Sequence, residues 1–334
     1  MFSPNKMNRL LKLLSIIYLC CSFSVKAETP KTLTIYATDS FSTNWGAGGV
    51  IKEAFEKKFN CKLKFISFDH ASSIISRLNF EGNKGKADLV LGLDFTQSNL
   101  LNVAKLFEPH NIPVKQLNLP MAWQDKIFLP YCYGYLTFIY NAEKELVLPK
   151  NFQELIDSSN NLRIIMADPR SSSLGFDFLI WTNEVFHNKF KERWQALSKK
   201  VAVFTQGWAE AWSLFTQSEG DLVLSYDTSA GYHIINGKRI LLKPLILEDG
   251  HMIQFQVVAK LKSAQEKNLA DQFLNFLIEP ETQQLIAKYN RMHPVVVKDH
   301  DMRSEENEYH SHKIPLNYSI NRKELTKKWI NAIL

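Results

Sequence analysis

Three serines stand in a row, Ser171-Ser172-Ser173, behind Asp168-Pro169-Arg170, at a point where a strand gives way to a helix. Hydroxyls and unpaired backbone N–H groups at a helix start suit an anion, phosphate above all. An ordinary N-cap would use one of these serines and leave the others in the turn. Further on, Tyr226, Asp227, Thr228, Ser229 and Tyr232 gather aromatic faces, a carboxylate and hydroxyls in one short stretch. That mixture suits an aromatic cation, because a cation over a Tyr or Trp face gains roughly 0.5–2 kcal/mol. Two or three such contacts fall short of the ~12 kcal/mol of a nanomolar complex, so hydrogen bonds and enclosure must supply the rest. Trp208 follows Gly207 and is spaced i, i+4, i+7 with Trp212 and Phe215, the pattern of a buried stripe.

Other chemistry is not assembled. The chain has no Gly-x-Ser-x-Gly elbow, no His-Glu-x-x-His pair and no Walker-type loop. Gly46-Ala47-Gly48-Gly49 lacks dinucleotide spacing and reads as a tight turn into a helix. His300, Asp301, His310 and His312 lie in a polar segment without compact metal-ligand spacing. No nucleophile, base and orienting group come together, so an enzyme is not expected.

The candidate binding groups need a scaffold, and strand and helix signals alternate along the chain. Residues 32–37 (TLTIYA) alternate polar and apolar, 50–59 read as an amphipathic helix, 63–68 as a strand and 72–80 as a helix. Residues 87–93 (ADLVLGL) read as a short, buried parallel strand. This rhythm predicts an open α/β sheet. Such sheets bind ligands where their strands end, and Asp39-Ser40, Asp69-His70 and Asp94 all fall at such ends. The rhythm returns with strands at 162–166 and 201–204, helices from about Leu174 and over 207–217, and residues 221–226 (DLVLSY), which echo ADLVLGL. Residues 135–140 and 255–259 read as strands crossing between two α/β lobes. The expected division is 28–138 for the first part of lobe 1, 139–252 for lobe 2, and 253–334 for a return to lobe 1 plus C-terminal helices. A terminal helix is expected near 322–333, after a solvated connection over 298–313.

The 334 residues are about twice the ~150 of one domain. Hydrophobic residues at 45% and charged residues at 22% exclude a mainly disordered or collagen-like chain. The formal net charge is +6, but residues 1–27 hold four basic side chains (Lys6, Arg9, Lys12, Lys26) and no acidic one, and without them 36 Lys and Arg face 34 Asp and Glu. A body so near neutrality gives no charge-based case for nucleic acid. Residues 1–27 also show a basic region, an apolar run from Leu13 to about Phe23, and Val25 and Ala27 at the −3 and −1 positions of a secretory signal. The run is shorter than the ~20 residues of a spanning helix, so cleavage after Ala27 and a soluble exported product are expected. Leu19 before Cys20 argues against a lipoprotein. Cys61 and Cys132 remain, and sequence alone does not decide whether they pair.

Several separate stretches occur together in one order: Asp39-Ser40-Phe41 with Trp45-Gly46, residues 86–94 (KADLVLGLD), Tyr133-Gly134-Tyr135, residues 168–173 (DPRSSS), Gly207-Trp208 and residues 221–226. In these the chain resembles the periplasmic thiamine-binding proteins that feed thiamine ABC importers, over about residues 33–294. The resemblance implies a two-lobed periplasmic binding protein, each lobe an open α/β sheet, joined by crossing strands with a ligand cleft between. It implies thiamine or its phosphates as transported ligand, no cofactor or metal, no catalysis, and a monomer in the periplasm. The partner implied is a membrane permease, with its ATPase on the other side of the membrane.

Ligand-contacting positions carry over to His70, Ala71, Ser172, Ser173, Trp208, Tyr226, Asp227, Thr228 and Ser229, with Tyr232 nearby. Trp208, Tyr226 and Tyr232 would offer aromatic faces to the rings. Ser172 and Ser173 would hold the hydroxyethyl end or its phosphate, and Asp227 the cation or amino group. The resemblance thus sets the buried-stripe reading of Trp208 aside.

Relatives often carry Tyr at Thr38, Asp-Gly at His70-Ala71, Asp at Cys132 and Trp at Arg291. An arginine facing the cleft would repel a thiazolium and pair well with a phosphate. Other cargoes want other residues: a polyamine several carboxylates, ferric iron adjacent tyrosines (no Tyr-Tyr pair occurs), a phosphonate the serine turn alone. A secreted enzyme using Asp69, His70 or Asp94 and a structural envelope protein are the alternatives from other classes.

Overall fold

The computed structural model describes residues 30–43, 46–157, 161–231, 234–235, 238–296, 311–312 and 321–334. The expected signal, Trp45, Tyr232, His300, Asp301 and His310 lie outside them. Eight strands carry the body: β1 (Thr32–Thr38), β2 (Lys62–Phe68), β3 (Leu89–Asp94), β4 (Leu129–Asn141), β5 (Ile164–Ala167), β6 (Val201–Thr205), β7 (Leu222–Tyr226) and β8 (His251–Leu261). They pair in the order β2-β1-β3-β8-β4-β7-β5-β6. β1 runs parallel to β2 and β3, and β5 runs parallel to β6 and β7. Parallel neighbours need crossovers, supplied by helices α1 (Gly48–Phe59), α2 (Ala71–Glu81), α3 (Ser173–Phe186), α4 (Phe190–Ser198) and α5 (Trp208–Thr216). The chain continues with α6 (Lys267–Leu277) and ends in α7 (Arg322–Ile333). This is the two-lobed α/β architecture expected from the strand–helix rhythm.

β4 (LPYCYGYLTFIYN) is rich in aromatic and β-branched residues, and its first eleven residues are buried. Its residues 129–135 pair antiparallel with β8, whereas residues 136–140 pair with β7. One strand therefore enters both lobes. The first core gathers side chains from Leu33 to Tyr135 and resumes from Phe255 to Val295. The second takes Leu136 to Met252 together with Trp329 and Ala332 of α7. Trp329 meets Trp194 and Phe204 edge-on. The return after β8 thus rejoins the first core as far as Val295, and the terminal helix then closes the second.

The echo between ADLVLGL and DLVLSY has a physical basis. Asp88 N–H donates to the Thr34 carbonyl, and Thr34 N–H donates back to Asp88 Oδ2, both at 2.8 Å. In the second lobe, Asp221 N–H donates to the Arg163 carbonyl at 2.8 Å, and Arg163 N–H returns to Asp221 Oδ2 at 2.9 Å. Each aspartate clamps the start of its strand to the neighbouring strand. Asp88 does more, since its Oδ1 also accepts from Gln265 and Glu266 N–H at 2.7 and 2.9 Å, just before α6. Cys61 and Cys132 are both buried and unpaired. Among the described residues no helix is long and apolar enough to cross a membrane. Of the connection at 298–313, Ser311–His312 is described as a short strand beside His251 and Met252.

Candidate ligand-binding cleft

Strands of a parallel sheet end where the chain turns outward, and those ends form a concave edge. In the first lobe Asp39 and Ser40 follow β1, Asp69, His70 and Ala71 follow β2, and Asp94 closes β3. From the second lobe come Ser172 and Ser173 after β5, Gly207, Trp208 and Glu210 after β6, and Tyr226 and Ser229 at the end of β7. Gln256 of β8 and the segment Asn290 to Met292 complete the walls. Together they enclose about 360 Å³, a size suited to a small molecule.

The three serines take three different positions. Ser171 Oγ donates to the Gln206 carbonyl at 2.8 Å. Ser172 is the N-cap of α3, its Oγ accepting from Gly175 N–H at 3.4 Å. Ser173, the first residue of the helix, lines the cavity beside Asp94 and hydrogen-bonds its carboxylate. A side-chain carbon at Gly175 would lie 2.2 Å from the Ala167 carbonyl oxygen, so glycine is what lets α3 start so close to β5.

Trp208 is half-buried, and its Nε1 donates to Ser225 Oγ at 2.7 Å. Ser225 Oγ is in turn 2.7 Å from Ser229 Oγ. The indole stacks on Trp212, ring centres 5.5 Å apart at 23°. The Tyr226 hydroxyl donates to Gln254 Oε1, whose amide donates to Asp177 Oδ2, and Thr96 Oγ1 donates to Asp177 Oδ1 at 2.7 Å. Both Trp208 and Tyr226 are therefore anchored by part-buried hydrogen bonds. Burial, and the nearby Asp94 and Asp177 carboxyls, push the Tyr226 hydroxyl well above the usual phenol range.

Of the ten positions singled out by sequence, His70, Ala71, Ser172, Ser173, Trp208, Tyr226 and Ser229 line this cavity. Asp227 and Thr228 are not among its walls. Asp227 is buried at 5% exposure, with Tyr135 N–H donating to Oδ1 at 2.9 Å and His293 Nε2 at 2.5 Å from Oδ2. The Thr228 hydroxyl is 3.9 Å from Met292 Sδ. Tyr232 lies outside the described residues. Asp39, Asp69 and Asp94, outside those ten, also line the cavity, and their signal in the sequence is their place at strand ends. So do Gln256, Asn290 and Met292, which arrive from β8 and from the segment before a short strand at His293–Pro294 and carry no local signal. Arg291 faces the cavity from a left-handed backbone position, φ 50°.

The cavity is rich in carboxylates. Asp39, Asp69, Asp94 and Glu210 line it, with Arg291 and His70 as the basic groups. Burial raises the Asp39 carboxyl above its ordinary range. It raises that of Asp94, 3% exposed, to about 7, against the opposing pull of Ser173 and Arg322. Asp177 behind it is fully buried and also raised well above the usual carboxylate range, by burial first and by Asp94 second.

Residues 50–289 match the family model of the bacterial extracellular solute-binding proteins. The chain is 39% identical to the thiamine-binding periplasmic protein of Escherichia coli (strain K12), over 84% of this chain and 85% of that protein. It is 35% identical to the thiamine-binding periplasmic protein of Haemophilus influenzae, over 86% of this chain and 87% of that protein. Among solved structures, a periplasmic thiamin binding protein superposes with a TM-score of 0.83 at 33% identity, covering 92% of this chain and 100% of that one. A ferric binding protein from Campylobacter jejuni, at 17% identity and a TM-score of 0.71, covers 90% of this chain and 98% of its own, and shares the fold. The chain belongs to the bacterial extracellular solute-binding proteins, on the branch of the periplasmic thiamine-binding proteins.

Proposed function

We propose that this chain is the periplasmic substrate-binding component of an ABC importer. It carries thiamine and its phosphates to a membrane permease whose ATPase works on the other side of the membrane. Export behind a signal cleaved after Ala27, action as a monomer, and binding without catalysis or cofactor belong to the same reading. So does closure of two lobes divided near 138/139 and 252/253, with α7 riding on the second. The observation that carries it is the cleft itself, two anchored aromatic rings lining one cavity with several carboxylates, in a chain 39% identical to a thiamine-binding periplasmic protein.

In this reading Trp208 and Tyr226 face the pyrimidine and thiazolium rings, a contact worth roughly 0.5–2 kcal/mol per cation–ring pair. His70 and Ala71 flank the ligand from the first lobe. Ser173, with Ser172 behind it and Ser229 opposite, takes the hydroxyethyl end. Arg291 in the cavity wall supports the phosphorylated forms, because a guanidinium and a phosphate make charge-assisted hydrogen bonds. Asp227 is better read as a structural group, since Tyr135 N–H and His293 already occupy its oxygens.

The test is calorimetric titration of protein unfolded and refolded to strip carried-over ligand, with thiamine, its mono- and diphosphate, and spermidine. Submicromolar one-to-one binding of a thiamine form supports the reading. Heat with spermidine alone would move the cargo to polyamines, for which the carboxylates of the cleft are also suited.

A further inference from the structure

Behind the cleft, two buried carboxylates lie in the field of one guanidinium, whose Nη1 is buried with no hydrogen-bond partner among the described residues. Asp94, at the end of β3, reaches the cavity wall and is 3% exposed, and Asp177 of α3 is fully buried. Arg322, at the start of α7, brings its positive charge to both of them. Arg322 is itself held there, its Nη2 donating to the Pro169 carbonyl at 3.0 Å and its Cζ 4.0 Å from the Phe176 ring centre. With both carboxyls ionised the cluster carries one surplus negative charge, and only Asp94 opens onto the cavity. The other groups around it are neutral when buried: Ser173 of α3, Tyr131 and Cys132 of β4, and Tyr226 of β7.

We propose that Asp94 is the counter-ion of the cationic cargo, and that loading the cleft displaces one proton from the Asp94–Asp177 pair to solvent. The proposal rests on the thiamine reading above. Without cargo, a proton meets the surplus charge. With a thiazolium in the cavity, the cation meets it and the proton leaves, so the charge inside the closed site is unchanged. The raised Asp94 carboxyl, at about 7, agrees with a proton held near neutrality. The remaining cavity carboxylates are less suited to the role. Asp69 and Glu210 are exposed and Asp39 half-buried, and water and salt screen such charges far more than a buried one. The cavity's basic groups oppose a cation: Arg291 by its fixed charge, and His70 when protonated. An imidazole can also release a proton near neutrality, so it is the group the test must separate.

The experiment is calorimetry of thiamine binding to refolded, stripped protein in phosphate and in imidazole buffer, which both accept protons between pH 6 and 8 and whose ionisation heats differ, at pH 6, 7 and 8. The expected result is a buffer-dependent heat corresponding to nearly one proton released at pH 6, fading by pH 8. The affinity should rise about fivefold from pH 6 to 7 and less than about twofold from pH 7 to 8. His70→Gln should keep this release, and Asp94→Asn should lose it and bind at least about tenfold more weakly. Equal heats in both buffers at pH 6, or release lost in His70→Gln alone, overturn the proposal, and neither depends on the Asp94 variant folding. Wild-type protein that binds no thiamine form sinks the cargo reading and this proposal with it, whereas tight binding without proton release sinks the proposal alone.

Discussion

His70 and Gly207 face each other across the cleft, so closely that a side-chain carbon on Gly207 would come within 2.8 Å of His70 Cε1 and 3.2 Å of its Nδ1. Gly207 is extended, φ −157°, a conformation open to any residue. What its position requires is the missing side chain. Gly207→Ala should therefore hold the lobes slightly apart and weaken thiamine binding by about tenfold, within the roughly 1–3 kcal/mol that an overpacked contact costs. Adding His70→Ala should restore part of the loss. Titrations of the two variants check this, and an unweakened Gly207→Ala would show that the contact does not govern closure.

Trp208 is positioned by its indole N–H on Ser225 and by stacking on Trp212. Trp208→Ala should cost about 1–2 kcal/mol of thiamine affinity. Ser225→Ala should cost less, since it releases the ring's edge and keeps the stack. Equal losses in the two variants would mean that orientation matters more than the ring face.

Arg291→Ala should weaken the mono- and diphosphate by roughly tenfold or more while leaving thiamine unchanged or slightly tighter. The quantity to compare is the ratio of dissociation constants. A ratio that stays the same in the variant would remove Arg291 from phosphate recognition.

Asp88 accepts three backbone N–H groups, from Thr34, Gln265 and Glu266. Asp88→Ala leaves these donors without their acceptor, at about 1–3 kcal/mol for each one that stays buried and unsatisfied. A destabilisation of at least about 3 kcal/mol is expected in urea unfolding, and a loss under 1 kcal/mol would mean that water replaces the carboxylate.

The raised carboxyls of Asp94 and Asp177 also set a sign for stability against pH. A carboxyl whose value is higher in the folded protein than in the unfolded chain favours folding while protonated. That stability is fully present below about pH 4, the unfolded value, and is lost as pH rises toward about 7 for Asp94. Ligand-free protein should lose melting temperature across this window through this pair, and Asp94→Asn should flatten the loss. Thermal melts of both proteins in steps from pH 4 to 8 read this directly, and parallel curves would count against it.

Much of this was legible because spacing encodes burial. The apolar alternation of residues 32–37 and the run in ADLVLGL fall within β1 and at β3. Aspartates at strand ends pointed to the cleft by topology alone, and Asp39, Asp69 and Asp94 all reached it. Asp227 looked as suitable as its neighbour Tyr226, but successive residues leaving a strand point to different sides. Asp227 turns to Tyr135 N–H and His293 while Tyr226 keeps the cavity. The i, i+4, i+7 pattern of Trp208, Trp212 and Phe215 describes a buried face, yet only Phe215 of the three is buried, and Trp208, in the first turn of α5, opens on the cleft. Arg322 lies at the start of a helix near the chain end, and no local pattern ties it to Asp94 and Asp177, which are more than a hundred residues away.

β4 changes partner between Tyr135 and Leu136, pairing with β8 before that point and with β7 after it, and each half serves a different core. Neither core can melt without withdrawing one edge of the other. A bilobal molecule joined by a slack tether would show two heat-absorption peaks. A shared central strand couples them, so the cleft is carried by one cooperative unit whose calorimetric and van't Hoff enthalpies should agree.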